Sequence, residues 1–99
     1  MQTAERVIAT LRAHEEELRQ AGLRSLSLFG SVARGESEID SDIDLAAEFD
    51  PAARMDLVQL GALERRIAEL LGSRVDLLPE PVEKRRLQGQ INRDRRRAF

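Results

Sequence analysis

Three short segments with strand-like patterns of apolar residues, separated by stretches with helical periodicity, most strongly limit what this chain can fold into. Residues 25–29, 42–49 and 74–78 each have the length and composition of a β-strand, and each ends at a glycine, an Asp-Pro pair or a proline-rich turn. Because helical segments lie before, between and after them, the pattern predicts an α/β domain built on one small sheet. Alternation alone would make the strands of that sheet parallel.

The helices are predicted from apolar spacing and from signals at their ends. Gly22 and Gly72 are expected to stop the first and the longest helix, since glycine is common just beyond a helix C-terminus. Asp50 and Pro51 predict the start of the longest helix, because Asp is a good N-cap and Pro suits the first helical position. Gly89 interrupts the last one. The predicted helices cover residues 4–21, one turn within 31–41, 50–71 and 82–97, which gives the order α-β-α-β-α-β-α.

The length and composition predict one domain over residues 1–99, with a single and mostly aliphatic core, since there are three Phe and no Trp or Tyr. The absence of Cys excludes disulfides and thiolate ligands, so a metal site here must use oxygen or imidazole. No apolar stretch approaches the roughly 20 residues of a membrane span, and the first residues lack the apolar region typical of a signal peptide. We therefore expect a cytoplasmic protein with no membrane contact.

The charges are unevenly distributed along the chain. The segment from Lys84 to Arg97 holds seven basic residues and one acid, Asp94, whereas the residues before it hold nine basic and seventeen acidic side chains. Contact with nucleic acid is one interpretation of this tail, and a solvated helix face or one that docks an acidic partner is the favoured alternative. The basic residues concerned are Lys84, Arg85, Arg86, Arg93, Arg95, Arg96 and Arg97.

Two carboxylates in the second predicted strand point to a cation site. Asp42 and Asp44 are separated by one apolar residue, which in a strand places both on one face with Cα atoms about 6.5 Å apart. Such a pair repels itself unless a cation or hydrogen-bond donors lie between its members. Mg²⁺ prefers oxygen ligands, uses one or two protein carboxylates and fills its other positions with water and phosphate oxygens. The pair therefore suits a nucleotide triphosphate.

Asp76 is the lone acid of the third predicted strand. If it is buried, its charge is costly unless it is paired or bound to a metal, and a third metal ligand fits that position. Alternatively, it faces water from an edge strand.

Gly30 and Ser31 lie where the first strand ends and a turn begins. Backbone N–H groups and a hydroxyl at such a place can close around phosphate oxygens, and glycine permits close approach of a ligand, although an ordinary turn has the same composition. Arg34 follows on the same turn. Its guanidinium is suited to neutralising phosphate charge or to pairing with Glu36 or Glu38.

These residues together resemble a known signature. Phe29-Gly30-Ser31, ten intervening residues and then Asp42-Ile43-Asp44-Leu45 are similar to the motif of the DNA polymerase β-like nucleotidyltransferase superfamily. Residues 33–36 and Ser41 make the chain most similar to the minimal nucleotidyltransferases, the small partners of HEPN-domain proteins in toxin–antitoxin pairs. Residues 75–78 resemble the third acidic strand of that family. The resemblance implies a small mixed sheet flanked by helices, rather than a parallel one.

The resemblance also implies a function and a set of site residues. It implies an adenylyltransferase that moves AMP from ATP to a hydroxyl, typically a tyrosine, of a HEPN-domain toxin with which it forms a hetero-oligomer. Asp42 and Asp44 would hold two Mg²⁺ ions, Asp76 would join one of them and accept the proton of the nucleophile, and Gly30 and Ser31 would position the triphosphate. Two alternatives stay open: an antitoxin that acts by binding alone, and transfer to a small-molecule hydroxyl such as that of an aminoglycoside.

Overall fold

The structure, a computed structural model, describes residues 2–39 and 41–99 as a four-stranded sheet with helices on both faces. The strand order is β3-β2-β1-β4, where β2 is antiparallel to β1 and parallel to β3, and β4 is antiparallel to β1. The sheet is therefore mixed: the parallel arrangement suggested by alternation is wrong, and the expected mixed sheet is confirmed. The strands are β1 (Leu23–Phe29), β2 (Ile43–Phe49), β3 (Val75–Pro79) and β4 (Arg96–Arg97).

The predicted helices are present, with changed bounds. The first is divided at His14, which ends α1 and begins α2, and α3 is the single turn expected in the loop after β1. Gly72 ends α4 in the left-handed conformation (φ 66°), as its position in the sequence predicts. The helices are α1 (Ala4–Ala13), α2 (Glu15–Gln20), α3 (Gly30–Ala33), α4 (Leu57–Leu71) and α5 (Arg85–Asp94).

The start of the longest helix was predicted at the wrong residue. Asp50 caps only a three-residue 3-10 turn, because Arg54 then enters the left-handed region (φ 48°) and interrupts the helical run. Asp56 begins the helix anew: its side chain accepts from the backbone N–H of Gln59, whose side chain in turn accepts from the backbone of Asp56. This capping box places the first residue of α4 at Leu57.

The last predicted helix is also shorter than expected. It ends at Asp94, and the chain then becomes extended and pairs with β1 as β4. The final two residues, Ala98 and Phe99, are buried in the core, and the Phe99 carbonyl accepts from the Leu26 N–H at 3.1 Å. Burial of Phe99 and the hydrogen-bonding groups on the open edge of β1 favour an extended end over further helix.

The two faces of the sheet carry different apolar clusters. Ile43 and Leu45 point into the larger one, which is mostly aliphatic and receives α1 and α4. Phe29, Ala46 and Ile91 form the smaller cluster, under α5. Since side chains alternate along a strand, the residue between Ile43 and Leu45 lies on the α5 face. In the part of the chain that the structure describes, no helix has both the length and the apolar character needed to cross a membrane.

Candidate active site

Strand register brings together acids that are far apart in the sequence. Asp44 of β2 is paired with Asp76 of β3 in the parallel ladder, and on its other side with Phe29 of β1. Paired residues of neighbouring strands lie about 4.8 Å apart and point to the same face. Asp42 precedes β2 by one residue and shares the alternation of Asp44. All three predicted carboxylates therefore lie at one end of the sheet, on the α5 face.

Gly30 is required by its contact with Asp44. Its backbone has φ +79°, and a Cβ built there would lie 2.3 Å from Oδ2 and 3.1 Å from Cγ of Asp44. No L-residue meets both demands, because the conformation is strained for a side chain and the space is already filled by the carboxylate. The glycine after β1 thus lets the Asp44 carboxylate lie directly against the backbone that begins α3.

The Asp44 carboxyl is surrounded by more negative charge than positive charge. Partial burial, followed by the charges of Asp76 and then Asp42, raises its pKa from 3.8 to about 6, and the smaller opposing effect comes from Arg34. Burial and like charges both disfavour the ionised form of a carboxyl. A cation placed among these groups would remove the repulsion, which is the electrostatic character expected of a metal or phosphate-metal site.

The side chain of Asp42 has a partner that the sequence motif did not reveal. The Arg74 Nε lies 3.2 Å from Asp42 Oδ1, and Arg74 is 79% exposed. Exposed ion pairs contribute about 0–1 kcal/mol, so this pair can be broken at small cost. The pair with Arg74 therefore does little to fix the position of the Asp42 carboxylate.

Asp76 is exposed on an edge strand, so its charge is not a buried one that needs compensation. Of the two alternatives that the sequence left open for Asp76, burial and exposure at an edge strand, the structure shows exposure. Exposure leaves the carboxylate accessible to a molecule that approaches from solvent, while the register with Asp44 keeps it beside the other acids.

The donor chemistry of these residues fits a divalent cation that prefers oxygen. Among residues 2–39 and 41–99, no group of three or more Asp, Glu, His or Cys side chains is arranged to hold a metal ion. Asp42 instead forms its ion pair with Arg74. The three carboxylates still share one end of the sheet and act on the pKa of Asp44, and Mg²⁺ needs only one or two of them. The donor chemistry of these three carboxylates suits a cation such as Mg²⁺.

Arg34 is held by two acids at the edge of this site. Its Nε lies 3.0 Å from Glu36 Oε2, one of the pairings expected from the sequence, and its Nη1 lies 2.7 Å from Asp94 Oδ2. The second contact comes from α5, on the far side of the chain in sequence. Ser31 lies in α3 and is partly exposed, and its carbonyl accepts from the N–H of Glu36 at 2.9 Å.

The basic tail does not present seven free cations. Arg95 donates two hydrogen bonds to Glu80, at 2.9 and 2.6 Å, and one to Ser27 at 3.2 Å, while Arg96 reaches Glu5 at 3.3 Å. The Arg95 guanidinium holds the pKa of Glu80 below its usual range. The tail is thus divided between a helix and a strand, and part of its charge serves contacts within the fold.

Sequence reasoning missed Arg74 and Asp94. Arg74 stands directly before the third strand, where nothing local indicates a partner. Asp94 did carry a signal, since it is the one acid among the seven basic residues of its segment. Only the packing of α5 against α3 shows which cation it meets.

The chain is similar to known nucleotidyltransferases. The family model described as nucleotidyltransferase domain matches residues 11–98. Protein adenylyltransferase MntA of Thermococcus cleftensis is 40% identical over 79 residues, which cover 79% of this chain and 78% of the relative. The chain therefore belongs to the nucleotidyltransferase domain family, as the resemblance of its motifs implied.

Solved structures show the same fold. A protein described as a minimal nucleotidyltransferase is 35% identical, with a TM-score of 0.70 over 90% of this chain and 93% of that one. A toxin–antitoxin crystal structure with AMP-PNP is 26% identical, with a TM-score of 0.73 over 91% of this chain and 72% of that one. The polymerase β-like nucleotidyltransferase fold expected for this chain is confirmed.

Proposed function

We propose that this chain is a Mg²⁺-dependent adenylyltransferase that acts as the antitoxin of a HEPN-domain toxin. It would transfer AMP from ATP to a hydroxyl of that toxin, a tyrosine in the most specific form of the proposal. The observation that carries the proposal is the register of Asp44 with Asp76, with the Asp44 carboxylate seated against Gly30. The adenylyltransferase name of the Thermococcus relative and the AMP-PNP in the toxin–antitoxin structure agree with it.

In this proposal Asp42 and Asp44 hold two Mg²⁺ ions and Asp76 joins one of them. When bound, the ions would supply Lewis-acid stabilisation of the attacking and leaving oxygens. Gly30 allows close approach of the chain to the triphosphate, Ser31 offers a hydroxyl, and Arg34 offers positive charge.

The reaction would be attack of the acceptor hydroxyl oxygen on the α-phosphorus. A new oxygen–phosphorus bond forms, the bond to pyrophosphate breaks, and Asp76 receives the proton of the hydroxyl. Two features of Asp76 suit it to that role: it is exposed at the sheet edge, where a second protein can approach, and it remains beside Asp44. A carboxylate that accepts a proton during attack is an ordinary general base.

The test is transfer of label from α-labelled ATP with Mg²⁺, using the chain together with a HEPN-domain protein, which the proposal expects a neighbouring gene to encode. Asp42→Asn and Asp44→Asn should each abolish labelling, because each removes a carboxylate needed for the metal. Glu16→Gln, a change of an exposed acid on α2, is the matched control and should label like the original chain. Undiminished labelling by either Asp variant would overturn the mechanism.

Two further outcomes would support the rival functions. A complex with the toxin that forms without any heat of MgATP binding to this chain would indicate an antitoxin that acts by binding alone. Label recovered on an added aminoglycoside, with none on the toxin, would indicate a small-molecule acceptor. Mass spectrometry of every chain after the reaction separates these results and counts the AMP groups added.

A further inference from the structure

The ion pair between Arg34 and Asp94 joins the motif-bearing turn to the last helix. Arg34 caps α3, and its backbone N–H donates to the carbonyl of Gly30 at 3.1 Å, so the arginine is one turn away from the residue that contacts Asp44. Asp94 is the final residue of α5. The 2.7 Å contact between them therefore connects the edge of the candidate site to an element that contributes no motif residue.

Of the two acids paired with Arg34, Asp94 is the one whose side chain is held in position by surrounding residues. Its side chain is only 12% exposed, whereas that of Glu36 is 67% exposed and lies two residues away on the same loop. A well-exposed pair of neighbours in sequence fixes little, because water and rotamer freedom compete with it. The direction of the guanidinium is thus set chiefly from α5.

Neighbouring contacts fix the end of α5 itself. Ile91, one turn before Asp94, is fully buried in the smaller cluster under the helix. Arg95, the next residue, is bound to Glu80, whose side chain is 7% exposed, and to Ser27 of β1. Asp94 therefore reaches Arg34 from a helix end that is anchored by Ile91 before it and by Arg95 after it.

The hydrogen bonds to Glu36 and Asp94 do not use Nη2, the third nitrogen of the guanidinium. Arg34 uses Nε for Glu36 and Nη1 for Asp94. A guanidinium has five N–H donors in a fixed plane, so holding two of its nitrogens also fixes where the third, Nη2, points. An arginine ordered in this way before the ligand arrives loses less freedom on binding phosphate.

We propose that Asp94 is a positioning residue for the nucleotide: it orients Arg34 so that the guanidinium meets the triphosphate beside Asp44. The inference rests on the proposed function, since it assumes that a nucleoside triphosphate occupies this site. Asp94 itself touches no reacting atom in this scheme, and its effect passes entirely through Arg34.

The experiment measures binding of the magnesium complex of α,β-methylene ATP, which cannot release pyrophosphate, by calorimetry on the full chain without a partner. Asp94→Asn should raise the Kd roughly threefold to tenfold, as for the loss of one charge-assisted contact. Arg34→Gln should weaken binding at least as much, and the double variant no further than Arg34→Gln alone. Asp94→Glu, which keeps the negative charge, should restore part of the affinity. Glu5→Gln is the control: it removes the acid paired with Arg96, two residues after Asp94, and should leave the Kd unchanged.

Each outcome distinguishes the inference from the function beneath it. If the original chain fails to bind the analogue, the proposed function fails. If the original chain binds and Arg34→Gln weakens binding while Asp94→Asn does not, the positioning role is overturned. A purely structural role for Asp94 would lower the number of binding sites per chain and leave the Kd unchanged, and tighter binding by Asp94→Asn would show that the acid competes with phosphate; both results overturn the inference.

Discussion

Asp44→Asn should make the metal-free protein more stable at neutral pH. The pKa of Asp44 is raised to about 6 by burial and by the charges of Asp76 and Asp42, so its ionised form is less favourable in the folded chain than in the unfolded one. A tenfold change in an acid dissociation constant corresponds to about 1.4 kcal/mol. The carboxyl keeps contact with water, which screens its charge, and we therefore expect a gain of about 1–2 kcal/mol rather than the roughly 3 kcal/mol that an unscreened charge would give.

The sign of this effect depends on pH. Below the ordinary pKa of 3.8 the carboxyl is protonated in both states, so the original chain suffers no penalty there. The penalty grows as pH rises between that value and about 6 and is constant above it. Asn cannot ionise, so the advantage of Asp44→Asn should be present at pH 7.5 and nearly absent at pH 3.5.

Urea unfolding with EDTA at these two pH values measures the difference in the free energy of unfolding. Asp76→Asn serves as the comparison, because it removes a repelling charge from an exposed position and should stabilise less. Added Mg²⁺ should raise the midpoint of the original chain and not that of Asp44→Asn, since a ligand stabilises only a state that binds it. An Asp44→Asn variant that is less stable at pH 7.5, or equally stabilised at both pH values, would refute the electrostatic account.

Other predictions test the supports of the site. Gly30→Ala should lower the free energy of unfolding by about 1–3 kcal/mol, from backbone strain and overlap with Asp44, and should abolish AMP transfer; an active and stable variant would contradict the close contact. Glu80→Gln should cost about 2 kcal/mol in urea unfolding, because it leaves the partly buried Arg95 with a weaker partner. Arg74→Ala should change stability by less than about 0.5 kcal/mol, since its ion pair is exposed, and a larger loss would show that the pair is structural.

Local signals predicted most of the elements. The strands before Gly30, before Asp50 and around Asp76 were found because each combines apolar residues with a turn signal. The start of α4 was predicted too early: Asp56 and Gln59 form a capping box whose residues are recognisable in the sequence, whereas the left-handed conformation of Arg54 has no local signal. β4 was missed because its two residues become a strand only by pairing with β1.

For the candidate site too, the residues that follow from local sequence were predicted, and those that depend on contacts between elements were not. Asp42 and Asp44 follow from alternation within one strand, but the approach of Asp76 depends on the register of two strands. The direction of β2 relative to its neighbours could not be read from alternation, and the resemblance supplied it. Asp94 and Arg74 act through contacts between elements, which one sequence without a structure does not specify.

The raised pKa of Asp44 has a consequence for any measurement of metal binding. Because its pKa is raised to about 6, this carboxyl binds a proton in mildly acidic solution when no metal is present. A cation that binds there must displace that proton, so its apparent affinity should fall as the solution becomes more acidic. The released proton is taken up by the buffer, and the observed heat then includes the ionisation enthalpy of that buffer. Titrations in two buffers of different ionisation enthalpy would count the protons directly.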